Sequence, residues 1–154
     1  MPQDIRSSTI NYDRFYNYNV ITEIANLRNT QKEVVSLALN IYHEARGSTY
    51  EDKRAVAEVT MNRVRSGKFG NSVFEVVHQP KQFSWTFLIK NKKPRERFAW
   101  IECQQIAYEV YTSSQNEIVD NNVYHYVRHD IVNNVWWAKH YKERKRIGAH
   151  VYLS

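Results

Sequence analysis

One amphipathic segment, residues 31–47, constrains the fold of this chain more than any other. Its apolar residues recur at the spacing of one buried helical face, at Val34, Leu37, Ala38, Ile41 and Ala45. Thr30 and Glu33 match a capping box that starts a helix near residue 31, and Gly47 is expected to end that helix with a positive φ. We therefore predict a helix over residues 31–45.

The last turn of this helix carries a carboxyl group at the edge of the apolar face. At about 100° per residue, Glu44 lies beside Leu37, so its side chain is expected to be half buried. Such burial raises the pKa of a carboxyl group, which a general acid working near neutral pH needs. An ordinary surface Glu is the simpler interpretation, although the helix dipole disfavours an anion at this end. On periodicity alone both interpretations stay open.

His43 and Glu44 also match the start of a zinc-protease pattern, which needs a second His four residues after the first. Position 47 is Gly47, so the metal interpretation fails. His43 points about 100° away from Glu44, toward Ser36 and Asn40, and is predicted to be a solvated surface residue. The sequence indicates no metal site and no cofactor.

Composition fits one globular domain, because 154 residues with 42% hydrophobic and 14% aromatic side chains are enough to build a core. The single cysteine, Cys103, excludes an internal disulfide and is predicted to be a core residue. No apolar run approaches membrane-spanning length and the N-terminus does not resemble a signal peptide, so we expect synthesis in the cytoplasm. The net charge of +6 favours polyanionic partners such as nucleic acid, anionic lipid or acidic wall polymers, without choosing among them.

After an irregular lead-in, residues 1–29, the region 30–111 is predicted to be mainly helical. Capping residues and apolar periodicity predict three further helices, which end near Ser66, His78 and Tyr111. Ser48–Glu51 matches a capping box for the second helix, Gly67 ends it, and Pro94 is expected to be the first residue of the fourth.

Beyond Asn122 the pattern changes to β-branched and aromatic residues. Extended segments are predicted at residues 123–127, 132–137 and 148–153. Helices first and a small sheet afterwards define the α+β class, with residues 112–154 as the β region of one domain that covers 1–154.

Several blocks of the chain, in order, resemble the cell wall hydrolase family, whose best-known members are the spore cortex-lytic enzymes. The first block, Tyr42–Gly47, carries the family's Glu-Ala-Arg-Gly run, and later parts of the likeness are residues 55–59, 61–64, 82–84, 124–126 and 147–152. The likeness covers about residues 34–153. One departure is the strand Tyr124–Arg128, which reads Tyr-His-Tyr-Val-Arg where the family has Tyr-Tyr-Tyr-Asn-Pro.

The resemblance implies a lysozyme-like α+β fold, a helical bundle followed by a small antiparallel sheet that lines a cleft, with Glu44 as the catalytic acid. It implies peptidoglycan as substrate, cleaved at the β-1,4 bond between N-acetylmuramic acid and N-acetylglucosamine, with an anionic cell envelope rather than nucleic acid as partner. A short monomer of this kind resembles a phage endolysin, made in the host cytoplasm and acting on the wall in the periplasm after release.

Two segments are expected to contact the sugar chain. Side chains that offer hydrogen bonds to it are Gln82, Ser84 and Thr86. Aromatic side chains that would stack on sugar faces are Phe83, Trp85, Tyr124 and Tyr126. For any one of these aromatics, a place in the core is an equally good interpretation.

The number of carboxylates decides the mechanism. Glycosidases normally use two, and the candidate partners for Glu44 are Glu51, Asp52, Asp120 and Asp130, none of which lies on a motif. A single acid fits a lytic transglycosylase, in which the 6-hydroxyl of the muramic acid attacks C1. A two-carboxylate muramidase of the same bond stays the alternative. A basic nucleic-acid-binding module is a rival from another class, but it leaves the helix that ends in Glu44 unexplained.

Overall fold

The computed structural model describes residues 27–154, which fold into helices followed by a small sheet. The helices are α1 (Asn29–Ala45), α2 (Tyr50–Ser66), α3 (Val73–His78), α4 (Trp85–Leu88) and α5 (Arg97–Thr112). The remaining elements are β1 (His125–Arg128), the 3₁₀ helices η1 (Val132–Asn134) and η2 (Trp136–His140), β2 (Arg144–Ile147) and β3 (His150–Leu153). The α+β class is confirmed. Most of the predicted lead-in, residues 1–26, lies outside the described part of the chain.

The first helix is the centre of the helical region, because it packs against α2, α3 and α5. Residues 34–42 are all buried, including Ser36 and Asn40 on the side that the periodicity left outside the apolar face. The predicted helix is therefore confirmed, but it is enclosed by neighbours rather than covered on one face only.

The predicted caps of α1 are wrong. The helix begins two residues earlier than predicted and Arg28 caps it without a side-chain hydrogen bond. Glu33 instead accepts hydrogen bonds from the backbone N–H groups of Val73 and Phe74, both at 2.8 Å, at the start of α3. A carboxylate is favoured there because the free N–H groups and the helix dipole are positive. Gly47 does not adopt a positive φ.

Helix α2 is capped one residue later than predicted. Thr49, rather than Ser48, accepts a hydrogen bond from the backbone N–H of Asp52 at 3.1 Å. The end of the helix is confirmed, since Gly67 has φ 71° and its N–H bonds to Val64. The side-chain cap of Thr49 therefore sets the start of α2, and the left-handed conformation of Gly67 sets its end.

Helix α5 begins at Arg97, so Pro94 is not its first residue as predicted. The N–H groups of Arg95 and Glu96 both donate to the hydroxyl of Tyr42 at 3.0 Å. These bonds tie the segment before the helix to α1, and the helix starts only after them.

The sheet is antiparallel with strand order β1-β3-β2. The predicted strands at 123–127 and 148–153 are confirmed as β1 and β3, with shifted ends. The strand predicted at 132–137 is wrong, because that segment forms η1 and η2. Val132, Val135 and Ala138 are three residues apart, which suits a 3₁₀ helix whose apolar side packs on the sheet.

The sequence did not predict strand β2. Its first three residues, Arg144, Lys145 and Arg146, are exposed at the edge of the sheet, and only Ile147 is buried. Charged residues suit an edge strand because they discourage pairing with another chain. Cys103 is buried, as predicted. None of the helices within residues 27–154 is long and apolar enough to cross a membrane.

Candidate active site

A cleft of about 480 Å³ lies where the end of α1 meets the sheet, within the size range of ligand sites. Its walls come from α1, α2, the turn before α4, β1 and the segment around η2. The lining residues are Glu44, Arg63, Lys81, Gln82, Phe83, His125, Tyr126, Trp136, Trp137 and Tyr141.

Glu44 lies in the last turn of α1, is partly buried and faces this cleft. Burial raises the pKa of its carboxyl group above the ordinary value of 4.5. A hydrogen bond from the hydroxyl of Tyr126 to Oε1, at 2.9 Å, and the nearby charges of His150 and Arg63 oppose that rise without cancelling it. Glu44 is therefore held in the protonated form to higher pH than an exposed Glu, as the periodicity suggested.

Tyr126, on β1, is positioned by the neighbouring strand. Its ring centroid is 5.0 Å from that of His150 and 5.5 Å from that of Tyr152, both on β3. Burial and the adjacent Glu44 raise the pKa of Tyr126 well above 10, so its hydroxyl stays protonated and remains a donor to Glu44.

Asp52, one of the candidate partner carboxylates, connects α2 to β3 instead of lining the cleft. It is fully buried and accepts hydrogen bonds from Tyr152 Oη at 2.7 Å, His150 Nδ1 at 2.9 Å and Ser48 Oγ at 2.6 Å. Burial opposes ionisation of Asp52, but these three bonds outweigh it and lower its pKa.

The turn between β2 and β3 fits closely against the start of α2. Gly148 there has φ 57°, and a Cβ at this position would lie 2.8 Å from the Cβ of Asp52. Only glycine fits this approach without displacing the strand turn from the helix.

The other candidate carboxylates are also outside the cleft. Glu51 is exposed on the first turn of α2, Asp120 is exposed in a turn, and Asp130 pairs with Arg128 at 2.6 Å. Across residues 27–154, Glu44 is the only carboxylate that lines the cleft.

Arg63, on α2, forms the wall of the cleft beside Glu44. Its Nε donates to the carbonyl of Tyr124 at 2.8 Å and its Nη1 donates to the Gln82 side chain at 3.3 Å. The guanidinium lies 5.0 Å from the ring centroid of Phe69 and 5.2 Å from that of Phe83. Burial lowers the pKa of Arg63, and these contacts fix its position.

The structure brings three of the predicted substrate-binding residues into the cleft: Gln82, Phe83 and Tyr126. Phe83 is 3% exposed and its ring is covered by Arg63, so it supports the cleft wall instead of offering a free face to a sugar. The hydroxyl of Tyr126 is likewise occupied, because it donates a hydrogen bond to Glu44.

The other four predicted contacts do not line the cleft. Trp85 is 2% exposed and its Nε1 donates to Asn40 Oδ1 at 2.9 Å, so its predicted sugar stacking is wrong. Thr86 donates to the carbonyl of Phe83, and Tyr124 stacks on Phe69. Ser84 is exposed before α4, outside the cleft lining.

His43 is also not the solvated residue that was predicted. Its ring stacks on Trp85 with centroids 4.7 Å apart, and Nε2 lies 3.0 Å from the carbonyl oxygen of Lys92. Burial lowers the pKa of His43 to about 4, so it is neutral near pH 7.

Most residues of the cleft lining were not predicted from the sequence. Trp136 is 72% exposed there, and the residues that join it without having been predicted are Arg63, Lys81, His125, Trp137 and Tyr141. Two adjacent tryptophans in a polar segment were an available signal, because large aromatics that remain exposed are typical of ligand sites.

Comparison with known sequences identifies the family to which a chain with this fold and site belongs. The profile of the family described as Cell Wall Hydrolase matches residues 47–153, and the chain belongs to that family. The resemblance found in the sequence is thereby confirmed. The matched range begins at Gly47, three residues after Glu44, so it leaves the role of Glu44 untested.

Among the curated proteins, the chain is similar to spore cortex-lytic enzymes. It is 28% identical over 127 residues to that of Oceanobacillus iheyensis and 27% identical over 136 residues to that of Bacillus subtilis. The alignments cover 81% of this chain but only 42% and 38% of those two relatives, so the chain spans less than half their length. No solved structure gives a significant match to this chain.

Proposed function

We propose that this protein degrades peptidoglycan by cleaving the β-1,4 bond between N-acetylmuramic acid and N-acetylglucosamine, as a lytic transglycosylase with Glu44 as its acid and base. One observation carries the proposal: among residues 27–154, Glu44 is the single carboxylate that lines the cleft, and burial raises its pKa. Membership in the cell wall hydrolase family supports the class of substrate and argues against a nucleic-acid-binding module.

The reaction needs one group that first gives and then takes a proton. Glu44 protonates the glycosidic oxygen as the bond from that oxygen to C1 of the muramic acid breaks, which releases the N-acetylglucosamine end as a 4-hydroxyl. The 6-hydroxyl of the same muramic acid then attacks C1 and transfers its proton to the Glu44 carboxylate. No water is consumed, the product is a 1,6-anhydro sugar, and Glu44 regains its starting protonation state.

The neighbours of Glu44 suit this exchange. The hydroxyl of Tyr126 donates to Oε1 and so holds the carboxyl group in one orientation. The positive charge of Arg63 favours the carboxylate that exists between the two proton transfers. The alternative, a muramidase, requires a second carboxylate at about 5–5.5 Å for retention or about 6.5–9.5 Å for inversion.

Product analysis tests the mechanism. Mass spectrometry of the muropeptides released from purified wall should find muramic acid ends lighter by one water, with no reducing end. Asp120→Asn, which changes an exposed carboxylate outside the cleft, should leave both the yield and the products unchanged. Fully reducing products that disappear in Asp120→Asn would establish a two-carboxylate muramidase instead.

The biological role is a separate proposal. We propose that the protein acts as an endolysin, and its membership in the cell wall hydrolase family supports the wall as its target. Cells that make it in their cytoplasm should stay intact until their inner membrane is permeabilised and should then lyse rapidly. Cells that make the Glu44→Gln variant should not lyse after the same treatment. Lysis that begins before permeabilisation would contradict this role.

A further inference from the structure

Arg63 carries a buried positive charge that makes no salt bridge with an acidic group of the described residues, although it interacts electrostatically with Glu44. The residue is 6% exposed, yet no carboxylate oxygen of residues 27–154 lies within 4 Å of its guanidinium. Its contacts are a carbonyl, a side-chain amide and two aromatic rings, all of them uncharged. Burying a cation in this way is costly unless an anion compensates it.

The other buried arginine of the same helix shows how this fold compensates such a charge. Arg54, 4% exposed, has carboxylate oxygens of Glu58, Glu109 and Glu117 at 3.1, 3.5 and 3.4 Å. Arg54 lies away from the cleft, whereas Arg63 lines it. The nitrogen of Arg63 that remains available, Nη2, has no acceptor among the described side chains and carbonyl groups.

A second cation lies in the same cleft. Lys81 is exposed, and it has a positive φ of 65° although it is not a glycine. It lies in a turn that is closed by a hydrogen bond from the N–H of Gln82 to the carbonyl of Gln79. Such a backbone costs free energy in a non-glycine residue and is uncommon, and residues of this kind cluster at functional sites. The next residue in this turn is Gln82, whose side chain accepts a hydrogen bond from Arg63.

The balance of charge in the cleft is positive. Burial raises the pKa of Glu44, which favours its uncharged form, and burial lowers the pKa of His125, which does the same for the imidazole. Among the lining residues, Arg63 and Lys81 face the substrate with a single carboxyl group, that of Glu44, opposite in sign when ionised.

We propose that Arg63 and Lys81 form a subsite for a carboxylate carried by the glycan substrate, so that the cleft selects an acidic glycan over a neutral one with the same sugar linkage. The inference rests on the proposed function and specifies its substrate. A guanidinium with a free N–H edge and an ammonium in the same cleft are suited to a carboxylate. Peptidoglycan carries such groups on its peptide side chains, and a plain polymer of N-acetylglucosamine does not.

A binding measurement with one chemical change in the ligand tests the subsite. Soluble glycan fragments that retain their peptides are prepared in two forms, with free carboxylates and with the same carboxylates converted to amides. Binding to the Glu44→Gln variant is measured by calorimetry, so that cleavage does not interfere. We expect the amidated fragments to bind at least about tenfold more weakly, since hydrogen bonds to charged groups are lost.

Two variants separate the subsite from the general positive charge of the protein. Lys81→Asn removes the cleft cation and suits the left-handed backbone, and Lys145→Gln removes one charge from the exposed edge strand β2. Lys81→Asn should reduce the preference for free carboxylates about twofold to fivefold, and Lys145→Gln should leave it unchanged. Arg63→Gln should reduce it further, with folding checked by thermal unfolding.

Three results would overturn the inference. They are equal binding of the two fragment forms, an equal loss of preference in Lys81→Asn and Lys145→Gln, and no binding of either form. Cleavage by the wild-type protein is scored separately, on intact wall. Cleavage without a carboxylate preference refutes the subsite alone, and a preference without cleavage refutes the reaction alone.

Discussion

Two glutamates of the helical core, Glu44 and Glu58, have surroundings that suit opposite tasks. Glu58, on α2, is 1% exposed and accepts hydrogen bonds from the three consecutive backbone N–H groups of residues 117–119, at 2.8 to 3.0 Å. The Nε of Arg54 donates to it as well, at 3.1 Å. Every direction around this carboxylate is occupied, and it anchors the loop after α5 to α2.

Among residues 27–154, Glu44 has a single side-chain donor, the hydroxyl of Tyr126, and its other side opens to the cleft. Few donors and partial burial destabilise the ionised form of Glu44, whereas Glu58 is surrounded by three backbone donors and the guanidinium of Arg54. The difference teaches that burial alone does not identify a catalytic acid. The number of bonds made to the carboxylate, and whether one side remains open to substrate, separates a proton donor from a structural anchor.

Glu44→Gln should have the largest effect on activity. It preserves the shape of the side chain and removes its exchangeable proton, so clearing of a wall suspension should fall about a thousandfold. Turbidity at equal concentrations of folded protein measures this loss. Retention of more than about a tenth of the activity would place the acid elsewhere.

The same variant should be slightly more stable than the wild type, and the gain should depend on pH. Because the pKa of Glu44 is raised in the folded state, this group lowers folding stability progressively as the pH rises above its ordinary value of 4.5. Below its ordinary value of 4.5, Glu44 is protonated in both the folded and the unfolded states and the difference should vanish. A melting temperature that falls in Glu44→Gln at neutral pH would contradict the comparison.

Glu58→Gln should have the opposite pattern, a large loss of stability with little loss of activity. Its charge compensates Arg54 and its oxygens bind three N–H groups, so the free energy of unfolding should fall by about 3–5 kcal/mol. Urea denaturation measures this change, and the activity per folded molecule is the control. A stable but inactive Glu58→Gln protein would show that the two glutamates are not divided in this way.

Tyr126→Phe should sharpen the description of Glu44 by removing its one side-chain donor. That hydrogen bond lowers the pKa of Glu44, so its loss should raise the pKa further. A general acid is active while protonated, and the high-pH limb of kcat/KM should therefore move to higher pH. At the optimum the rate should fall only about fivefold, the usual worth of one hydrogen bond. A limb that moves to lower pH would show that the bond does not stabilise the carboxylate.

His43→Ala should have the smallest effect on activity, although His43 is adjacent to Glu44 in the chain. Its ring stacks on Trp85 behind the cleft and is neutral near pH 7. We expect at least about half of the activity to remain, with a loss of about 1–2 kcal/mol in unfolding free energy from the lost contacts. An inactive but stably folded His43→Ala protein would shift the catalytic role toward His43.

The sequence predicted what local spacing controls and missed what distant segments assemble. The position of Glu44 follows from the helical period over residues 34–45, a property of one continuous segment. Arg63 and Trp136 reach the same cleft from positions 19 and 92 residues further along the chain, and no periodicity relates them. Asp52 combines both cases, because its place in the first turn of α2 was predicted and its bond to His150 was not.

Aromatic residues show a second reason for the misses. The sequence reveals that Trp85 and Trp136 are large and amphipathic, but it does not reveal which of them is covered. Trp85 is enclosed by the core and bonds Asn40, whereas Trp136 remains open on η2. Burial is decided by the packing of whole elements, so single residues carry little information about it.

The strand order has a consequence for how this protein is made. β3 is translated after β1 and β2 but lies between them, and the two outer strands form no hydrogen bonds with each other. Within the described part of the chain, neither outer strand has a pairing partner until residues 150–153 have left the ribosome, at an elongation rate of about 5–20 residues per second. Until then Tyr126 lacks the neighbours that direct it to Glu44. The wall of the cleft that β1 provides is therefore in place only after residues 150–153 are available.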